Sequence, residues 1–357
     1  MNRTKKIITA LAVIAAAVIL TLNAQSATYG AKRGISMCFE TVIPSLFLFS
    51  VLSETAYGLG AFSSGRTARA AAKFLNIPVT CICAVVFSFL GGYPVGIRLI
   101  KKEFDKKNAD AKTAQRLVSF CVNAGPGFII NTVGAAVLNS VFSGVAVLAS
   151  TFMSSILTAV VLGFLSKRKG GIHSSGSASE NTETASFSEV FTSSVSNSAR
   201  AMISISAWII LFSALESVLF SYIKNERIGL WLRMIFEVTD GVSAAESIGG
   251  APLCSAVTAF GGICVFMQIY PLLIKIKIKP YMYFIPRILN AVNSYAVCSV
   301  LIKIFPSAVK TASLNSYNSA FSSSAVSNAV LLIASGVMIM SDSFSDVKIL
   351  PKKHKST

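Results

Sequence analysis

The segment from Phe87 to Gly96 constrains the fold of this chain more than any other part of the sequence. It lies in a run apolar enough for a membrane, yet it contains Gly91-Gly92-Tyr93-Pro94 and then Gly96. Glycine and proline at this density favour an unwound backbone, and proline removes one amide donor. In lipid, unwound backbone is stable only where protein or a water-filled cavity satisfies its polar groups. The sequence therefore predicts a broken or re-entrant helix buried inside a membrane protein.

The composition supports the same class of protein. Of the 357 residues, 53% are hydrophobic and only 13% are charged, and the mean hydropathy is +0.66. Soluble domains carry about 25% charged residues, and apolar runs long enough to cross a hydrocarbon core of about 30 Å recur along this chain. We therefore predict an all-α polytopic membrane protein with about eight transmembrane helices and two re-entrant or broken segments in an inverted repeat.

The strong positive charge is explained mainly by membrane topology. Lys and Arg number 32 against 15 Asp and Glu, which gives a formal net charge of +17. The cations cluster in short loops between apolar runs, as the positive-inside rule requires of cytoplasmic loops. No basic stripe with interleaved aromatic residues is present in the sequence, so nucleic acid is excluded as a partner. The remaining excess of cations favours an anionic substrate or anionic lipid.

The placement of charge predicts that residues 77–97 turn back rather than cross the membrane. A complete crossing would leave seven cations in one short external loop, against the positive-inside rule, whereas a re-entrant hairpin keeps them inside. These cations are Arg98, Lys101, Lys102, Lys106, Lys107, Lys112 and Arg116. The eight predicted crossings, which leave both termini in the cytoplasm, are residues 5–23, 42–58, 117–143, 144–166, 201–223, 251–274, 281–302 and 325–341.

The predicted organisation is two gate-like repeats separated by a polar linker. An N-terminal transmembrane helix, either retained or cleaved as a signal peptide, occupies residues 1–30. The repeats are residues 31–166 and 191–306, and the cytoplasmic linker between them, residues 167–190, is rich in Ser, Gly, Glu and Thr. A C-terminal transmembrane helix with a basic tail occupies residues 307–357.

The two repeats share one order of features. Each has an apolar helix that ends near a glutamate, Glu54 or Glu216, for which a hydrated interface position is expected. Each then has an interrupted segment, which in the second repeat lies within residues 228–249 and contains Glu237-Val238-Thr239-Asp240-Gly241. A crossing broken by glycine follows. Because the first repeat starts outside and the second inside, the arrangement is the inverted repeat in which matching breaks form a transporter's substrate site.

Two further breaks are candidates for binding an anion. Asn123-Ala124-Gly125-Pro126-Gly127 interrupts a crossing, so a half-helix should begin near Phe128 with its free amides pointing into the protein. Such helix N-termini carry about half a positive charge and bind carboxylate or phosphate. Gly261-Gly262 offers a close approach from the opposite side, although tight helix packing is the favoured interpretation for this pair alone.

Polar residues inside apolar runs complete the predicted site, because each intramembrane charge costs at least about 2.5–3.5 kcal/mol unless paired or hydrated. Either Arg287, Asn290 and Asn293 form one helix face suited to a carboxylate, or Arg287 reaches the cytoplasmic surface. Glu237 and Asp240 are candidates for coupling to a cation or for pairing with Arg287. The predicted substrate-binding residues are Gly92, Tyr93, Pro94, Asn123, Gly125, Pro126, Thr239, Gly261, Gly262, Gln268, Arg287 and Asn290.

The sequence predicts neither an enzyme nor a site for a cofactor or metal. Its two histidines, His173 and His354, lie in polar connections, which excludes a histidine-based metal site or a Ser-His-Asp triad in the membrane. The seven cysteines have no zinc-type spacing and are expected to be buried apolar side chains. The sequence also lacks a phosphate-binding loop.

Four short elements follow one another along the chain. They are Gly92-Tyr93-Pro94-Val95-Gly96, Asn123-Ala124-Gly125-Pro126, Glu237-Val238-Thr239-Asp240-Gly241, and Phe260-Gly261-Gly262 with Gln268. Together they resemble the sporulation integral membrane proteins of the nucleoside-recognition, or gate-domain, superfamily, over roughly residues 35–305. The resemblance implies an endospore-forming bacterium and a protein of the outer forespore membrane. It also implies movement of dipicolinic acid, pyridine-2,6-dicarboxylate, toward the spore in support of cortex formation.

The residues themselves suit a flat dianion. Helix N-termini, an arginine and an aromatic face recognise two carboxylates and a ring, and Gly125-Pro126-Gly127, Arg287 and Tyr93 supply these groups. The predicted function is transport of a small organic anion by alternating access, with the lipid bilayer and other spore membrane proteins as partners. The alternatives are a nucleoside-type transporter and a non-transporting assembly factor that docks spore-envelope proteins. The sequence indicates no particular oligomeric state.

Overall fold

A computed structural model describes residues 3–61, 65–167 and 186–305, and within these ranges the chain is helical with no β-strand. The helices are α1 (Arg3–Leu22), α2 (Ala24–Met37), α3 (Ile43–Gly58), α4 (Arg66–Leu75), α5 (Ile82–Gly91), α6 (Tyr93–Asp105), α7 (Ala111–Cys121), α8 (Val141–Lys167), α9 (Phe187–Tyr222), α10 (Glu226–Phe236), α11 (Val238–Phe260), α12 (Gly262–Lys275) and α13 (Pro280–Ile304). A π-helical turn, Cys38–Val42, joins α2 to α3, and a π-helix, Phe128–Val137, follows α7.

Five apolar segments of the described chain are long enough to cross a membrane, and a sixth if one bent pair of helices counts as a single span. The five are Ala24–Gly58, Val141–Leu165, Phe187–Tyr222, Val238–Lys275 and Pro280–Ile304, and the bent pair is Arg66–Leu75 with Val79–Gly91 at 101°. The prediction of an all-helical, multi-pass membrane protein is therefore confirmed. The predicted count of eight crossings is not established by these spans.

The outer faces of the described helices carry the apolar side chains that a bilayer requires. In α1, most of the large apolar side chains, for example Ile7, Leu11, Ile14 and Leu22, are 50–79% exposed. On α13, Ile285, Leu289 and Val292 are also more than half exposed. Exposed apolar surface on this scale is unfavourable in water and favourable against lipid, so these faces are the lipid-facing surface.

One predicted crossing differs from what the structure contains. Residues 117–143 do not form one span, because α7 ends at Cys121, residues 122–125 are unwound, and the π-helix that follows is only 10 residues long. Residues 5–23 coincide with α1, whose apolar part Lys6–Leu22 is at the short end of the lengths that cross a membrane. The predicted crossing at residues 325–341 lies outside the described residues.

Helix α9 begins inside the segment predicted to be linker up to residue 190. The Ser186 hydroxyl accepts a hydrogen bond from the Glu189 amide at 3.3 Å, and the Glu189 carboxylate accepts one from the Ser186 amide at 3.0 Å. This reciprocal capping box makes Ser186 the N-cap, so α9 begins at the next residue, Phe187. The signal is present in the sequence as Ser-x-x-Glu, but the polar composition around it resembles a linker.

Helices α2 and α9 lie against each other almost at backbone contact. A Cβ at Gly30 would lie 2.3 Å from the Ser213 carbonyl oxygen, and a Cβ at Gly34 would lie 2.9 Å from the Ile210 Cα. Small residues four positions apart allow this close approach between membrane helices. On the other side of the bundle, α13 packs against α8 and α11.

Every predicted break is a break in the structure, including one that was interpreted as packing. Gly92 has φ 83° between α5 and α6, residues 122–125 are unwound, and Glu237 is extended between α10 and α11. Gly261 (φ 86°) and Gly262 (φ 76°) separate α11 from α12. Both residues adopt left-handed backbone that glycine alone tolerates readily, so the crossing is broken here as predicted. The pair is also closely packed, because a Cβ at Gly261 would lie 3.2 Å from the Tyr93 ring and one at Gly262 would lie 3.1 Å from the Phe236 carbonyl oxygen.

The predicted boundary between a re-entrant segment at residues 228–249 and a crossing at residues 251–274 coincides with a backbone break in the structure. Gly250 (φ 59°, ψ −153°) is non-helical and divides α11 into two helical pieces, two residues before Pro252. The glycine and proline therefore kink the apolar segment Val238–Lys275 at this boundary, and a second break follows at Gly261.

Candidate functional site

The helix breaks meet in the interior in two pairs. In the first half, a Cβ at Gly92 would lie 3.4 Å from the Gly125 amide nitrogen, so the two unwound stretches touch. In the second half, a Cβ at Gly262 would lie 3.4 Å from the Glu237 Cα. The pairs are themselves in contact, because a Cβ at Gly261 would lie 3.2 Å from the Tyr93 ring. Segments far apart in the sequence thus place their irregular backbone together.

A cavity of about 30 Å³ lies where the breaks meet. It has room for about two water molecules. Six of the predicted site residues line it, namely Tyr93, Pro94, Gly125, Glu237, Thr239 and Gln268. The rest of its wall is apolar and comes from α3, the π-helix, α9 and α12, for example Leu46, Phe128, Ile209 and Val265.

Four helices begin at these breaks, and residues near the start of each line the cavity. Helix α6 begins at Tyr93, the helix after the second break at Pro126, α11 at Val238 and α12 at Gly262. The first amides of a helix have no partner within it, so each N-terminus carries partial positive charge. The structure therefore concentrates anion-binding ends around one small cavity.

One of the four N-termini is already occupied by a carboxylate from the chain itself. Glu237, which is 1% exposed, accepts hydrogen bonds from the amides of Thr239 at 2.7 Å and Asp240 at 2.8 Å. Its other oxygen accepts from the Thr239 hydroxyl at 3.1 Å. The predicted pairing of Glu237 or Asp240 with Arg287 is wrong, because Asp240 forms its ion pair with Arg33 instead.

Arg287 is buried in the interior without an ion pair among the described residues. It is 1% exposed, which contradicts the alternative that it reaches the membrane surface. Its Nη1 donates to the Ala259 carbonyl at 3.1 Å, and Nε and Nη2 make no hydrogen bond. The Tyr93 hydroxyl donates to the neighbouring carbonyl, Thr258, at 2.5 Å. Arg287 is absent from the cavity lining and lies behind it, at the carbonyl end of α11.

Asn290 and Asn123 have structural partners that use their amide groups. Asn290 donates to the Ser119 carbonyl at 3.1 Å and accepts from the Thr158 hydroxyl at 2.5 Å. Asn123 donates to the Phe120 carbonyl at 2.7 Å and accepts from the Ser155 hydroxyl at 2.8 Å. These bonds satisfy the Ser119 and Phe120 carbonyls in the last turn of α7, which have no hydrogen-bond partner within the helix. The predicted common face of Arg287 and Asn290 is thus divided between different helices.

A larger, open cavity that sequence reasoning missed adjoins the first. It has a volume of about 470 Å³ and shares Pro94, Ile205 and Gln268 with the small cavity. We refer to it as the vestibule. Its charged lining residues are Glu54, Arg98, Lys101, Lys102, Asp105 and Arg200. Four cations against two carboxylates give the vestibule an excess of positive charge.

Arg98 connects three helices at the inner wall of the vestibule. Its guanidinium lies 2.9 Å from the Glu54 carboxylate of α3 and donates to the Asn197 carbonyl of α9 at 2.9 Å. Lys102 lies 3.5 Å from the second Glu54 oxygen. Glu54 is therefore buried between two cations and does not have the predicted hydrated interface position. Arg200, in contrast, is exposed and forms no ion pair among the described residues.

These features define an integral, multi-pass helical membrane protein with an interior site formed by broken helices. Compared with known proteins, the chain is similar to sporulation integral membrane protein YlbJ of Bacillus subtilis (strain 168), with 21% identity over 319 residues that cover 78% of each chain. This similarity supports a sporulation integral membrane protein family, as the sequence motifs predict. No family model matches the chain, and no solved structure matches it.

Proposed function

We propose that this protein transports a small organic anion, and that the anion is dipicolinic acid moved toward the developing spore across the outer forespore membrane. The observation that carries the proposal is the junction of a cationic vestibule with a cavity bordered by helix N-termini. The similarity to a sporulation integral membrane protein supports the biological setting. The resemblance of the four motifs to the gate-domain superfamily supports transport as the activity.

The charges of the interior favour an anion over a neutral solute. Arg287 is a buried guanidinium with no ion pair among the described residues, and it lies directly behind the break at Gly261. Burying an uncompensated charge is costly, so a negatively charged cargo beside it is stabilised. A neutral nucleoside would gain nothing from this field. Dipicolinate, with two carboxylates on a flat ring, suits both the helix N-termini and the Tyr93 ring.

The small cavity is too narrow for an aromatic dicarboxylate in this conformation. About 30 Å³ accommodates roughly two water molecules, so the paired breaks must separate before a ring can enter. The element order supports a way to do so. In each half, short helices separated by breaks lie in the sequence between two long helices, so the short broken helices of the two halves can move against each other while the long helices stay in place.

The vestibule is assigned to the cytoplasmic side in this proposal. Its lining comes from the N-terminal part of α9, which follows the polar linker, and from α6, which leads into the loop with Lys106 and Lys107. The positive-inside rule assigns such loops to the cytoplasm. A dianion made in the mother cell would therefore meet the cationic vestibule before the cavity.

The proposal is tested in proteoliposomes that contain the purified protein and labelled dipicolinate. We expect uptake that unlabelled dipicolinate competes away and that a nucleoside does not. We also expect Arg287→Gln to lower uptake strongly, while the exposed Arg227→Gln variant, as a matched control, transports normally. Absence of uptake by the wild type would contradict transport and favour the assembly-factor alternative.

A cellular experiment tests the identity of the cargo separately. Small anions in spores from a deletion strain and from a complemented strain are compared by mass spectrometry. We expect dipicolinate to fall in the deletion strain and to return on complementation. Unchanged dipicolinate would exclude this substrate without affecting the fold or the site.

A further inference from the structure

A second charged cluster lies away from the vestibule, where α2, α9 and α11 meet. Arg33 of α2 forms an ion pair and hydrogen bond with Asp240 of α11. The same guanidinium nitrogen lies 3.6 Å from Glu216 of α9. Glu216 is completely buried, and neither of its carboxylate oxygens has a hydrogen-bond partner within the described ranges. The Arg33 guanidinium thus lies beside two carboxylates and forms a hydrogen bond with only one of them, Asp240.

The part of the chain that the structure describes supplies no further cation for Glu216. The titratable groups facing it from the packed elements are Arg33, Asp240, Glu237 at the start of α11, and the Cys264 thiol of α12. Arg233 of α10 stacks on the Phe220 ring at 4.8 Å, one turn further along α9. Glu237 is already held by backbone amides. With both Glu216 and Asp240 ionised, the cluster has a net negative charge in a site without water access to Glu216.

A proton resolves this imbalance in the simplest way. A buried carboxylate with no hydrogen bond is strongly disfavoured, and two neighbouring carboxyl groups that cannot both be ionised share one proton. The carboxyl groups of Glu216 and Asp240 are neighbours, because both lie within ion-pair distance of the same Arg33 guanidinium nitrogen. Within the described part of the chain, no group of three His, Cys, Asp or Glu side chains has the arrangement of a metal site, which favours a proton over a metal ion.

We propose that Glu216 and Asp240 form a proton-binding site that couples proton movement to transport. The step is the formation of one O–H bond at a carboxylate oxygen and its later release as H⁺, with no other bond changed. This inference rests on the proposed transport function. The proton site is close to the proposed cargo site. The Asp240 amide donates a hydrogen bond to the Glu237 carboxylate, and Glu237 lines the small cavity. Protonation of one carboxylate changes whether Arg33 pairs with Glu216 of α9 or with Asp240 of α11. Because Asp240 lies in the first turn of α11, this change shifts the position of that turn.

The first test does not depend on transport. Infrared difference spectra of the purified protein between acidic and alkaline buffer report the C=O stretch of a buried carboxylic acid. We expect one such band in the wild type, its loss or shift in both Glu216→Gln and Asp240→Asn, and its retention in Glu226→Gln, an exposed control at the start of α10. A band that is unchanged in both cluster variants would overturn the proposal.

The second test separates this inference from the transport proposal. Proteoliposomes are assayed for exchange of labelled for unlabelled dipicolinate at equal pH, and for net uptake under a pH gradient. With one proton per cargo, a gradient of one pH unit should change accumulation about tenfold, since one unit is worth about 1.4 kcal/mol. The Glu216→Gln variant should lose that response, and Glu226→Gln should keep it.

Each remaining outcome has one meaning. Exchange by the wild type without any effect of the pH gradient, or with an effect of a sodium gradient alone, would overturn the proton site and leave transport supported. A Glu216→Gln variant that responds to pH as the wild type does would also overturn it. Absence of exchange by the wild type would contradict the transport function, and the infrared bands would still decide whether the cluster binds a proton.

Discussion

Glu54 and Glu216 each lie near the C-terminal end of a long helix, α3 or α9, and each is buried beside an arginine, but the charge around them differs. Glu54 faces two cations, Arg98 and Lys102. At Glu216 the balance is reversed, because Arg33 is shared with a second carboxylate. The comparison shows that similar positions in the two halves have diverged in charge. The first offers surplus positive charge to an anion, and the second keeps surplus negative charge inside.

The comparison assumes that the clusters around Glu54 and Glu216 act on the same cargo as it passes through the small cavity. Gly125→Leu tests this assumption, and it has the largest expected effect of the variants considered. A Cβ at Gly125 would lie 3.3 Å from the Leu90 carbonyl, so a leucine must fill the cavity or force the breaks apart. Overpacking of this kind costs about 1–3 kcal/mol, which corresponds to roughly fivefold to 150-fold slower uptake. Proteoliposome uptake, normalised to folded protein, is the measurement.

The matched control is Gly229→Leu in α10, where a Cβ would have no atom within 4 Å. Normal uptake by Gly125→Leu would mean that the cargo does not pass between the paired breaks.

The opposite charge balances predict opposite effects of neutralising the two glutamates. Glu54→Gln leaves Arg98 and Lys102 without an anion, and we expect the free energy of unfolding to fall by about 1–3 kcal/mol, because Arg98 is only partly exposed. Glu216→Gln removes the unsatisfied carboxylate, so we expect stability to be unchanged or higher. Thermal unfolding of both variants in the same detergent and lipid measures the contrast. Equal losses would show that the charge balances are alike.

The hydrogen bonds around Asn290 involve no charged group, so their removal gives an effect on stability with which the two glutamate variants can be compared. Asn290→Ala leaves the Ser119 carbonyl and the Thr158 hydroxyl without partners, and we expect a loss of about 1–2 kcal/mol in unfolding free energy. The affinity for cargo should not change, because these contacts hold α13 to α7 and α8. Asn293→Ala, at a half-buried position one turn further along, is the control. A weaker affinity with unchanged stability would instead indicate contact with the cargo.

The smallest expected effect is at the outer rim of the vestibule. Arg200→Gln removes an exposed cation, and an interaction of about 1 kcal/mol in water predicts a KM for dipicolinate about fivefold higher with kcat unchanged. High salt should reduce the difference from wild type, because exposed charges are screened. The exposed Arg227→Gln variant should have no effect. A fall in kcat with unchanged KM would instead indicate that Arg200 takes part in the conformational change of transport.

The sequence predicted the breaks well because glycine and proline act locally on the backbone. The breaks at Gly92, Pro126, the Glu237 region and Gly261-Gly262 were all predicted on this basis. A glycine pair is compatible both with close packing and with left-handed backbone, and Gly261-Gly262 has both. The start of α9 was hidden by polar composition, although its capping box was present.

The charged clusters were less predictable because their partners are far apart in the chain. Arg98 was interpreted as a loop cation, yet α6 continues from the break and carries it to Glu54, 44 positions earlier in the sequence. Arg287 and Asn290 were expected to act together from one helix face. Helix α13 instead lies between α8 and α11, so neighbouring positions on it meet different helices. Such pairings follow from tertiary packing alone.

The close contact of α2 with α9 has a consequence for how the molecule can move. Gly30 and Gly34 fit against the α9 backbone with no space for even a methyl group, so a slide of either helix would bring a larger side chain into that contact. These two helices therefore form a fixed frame that joins the halves. Any rearrangement that admits cargo has to take place in the short broken helices, which turn within this frame while it stays still.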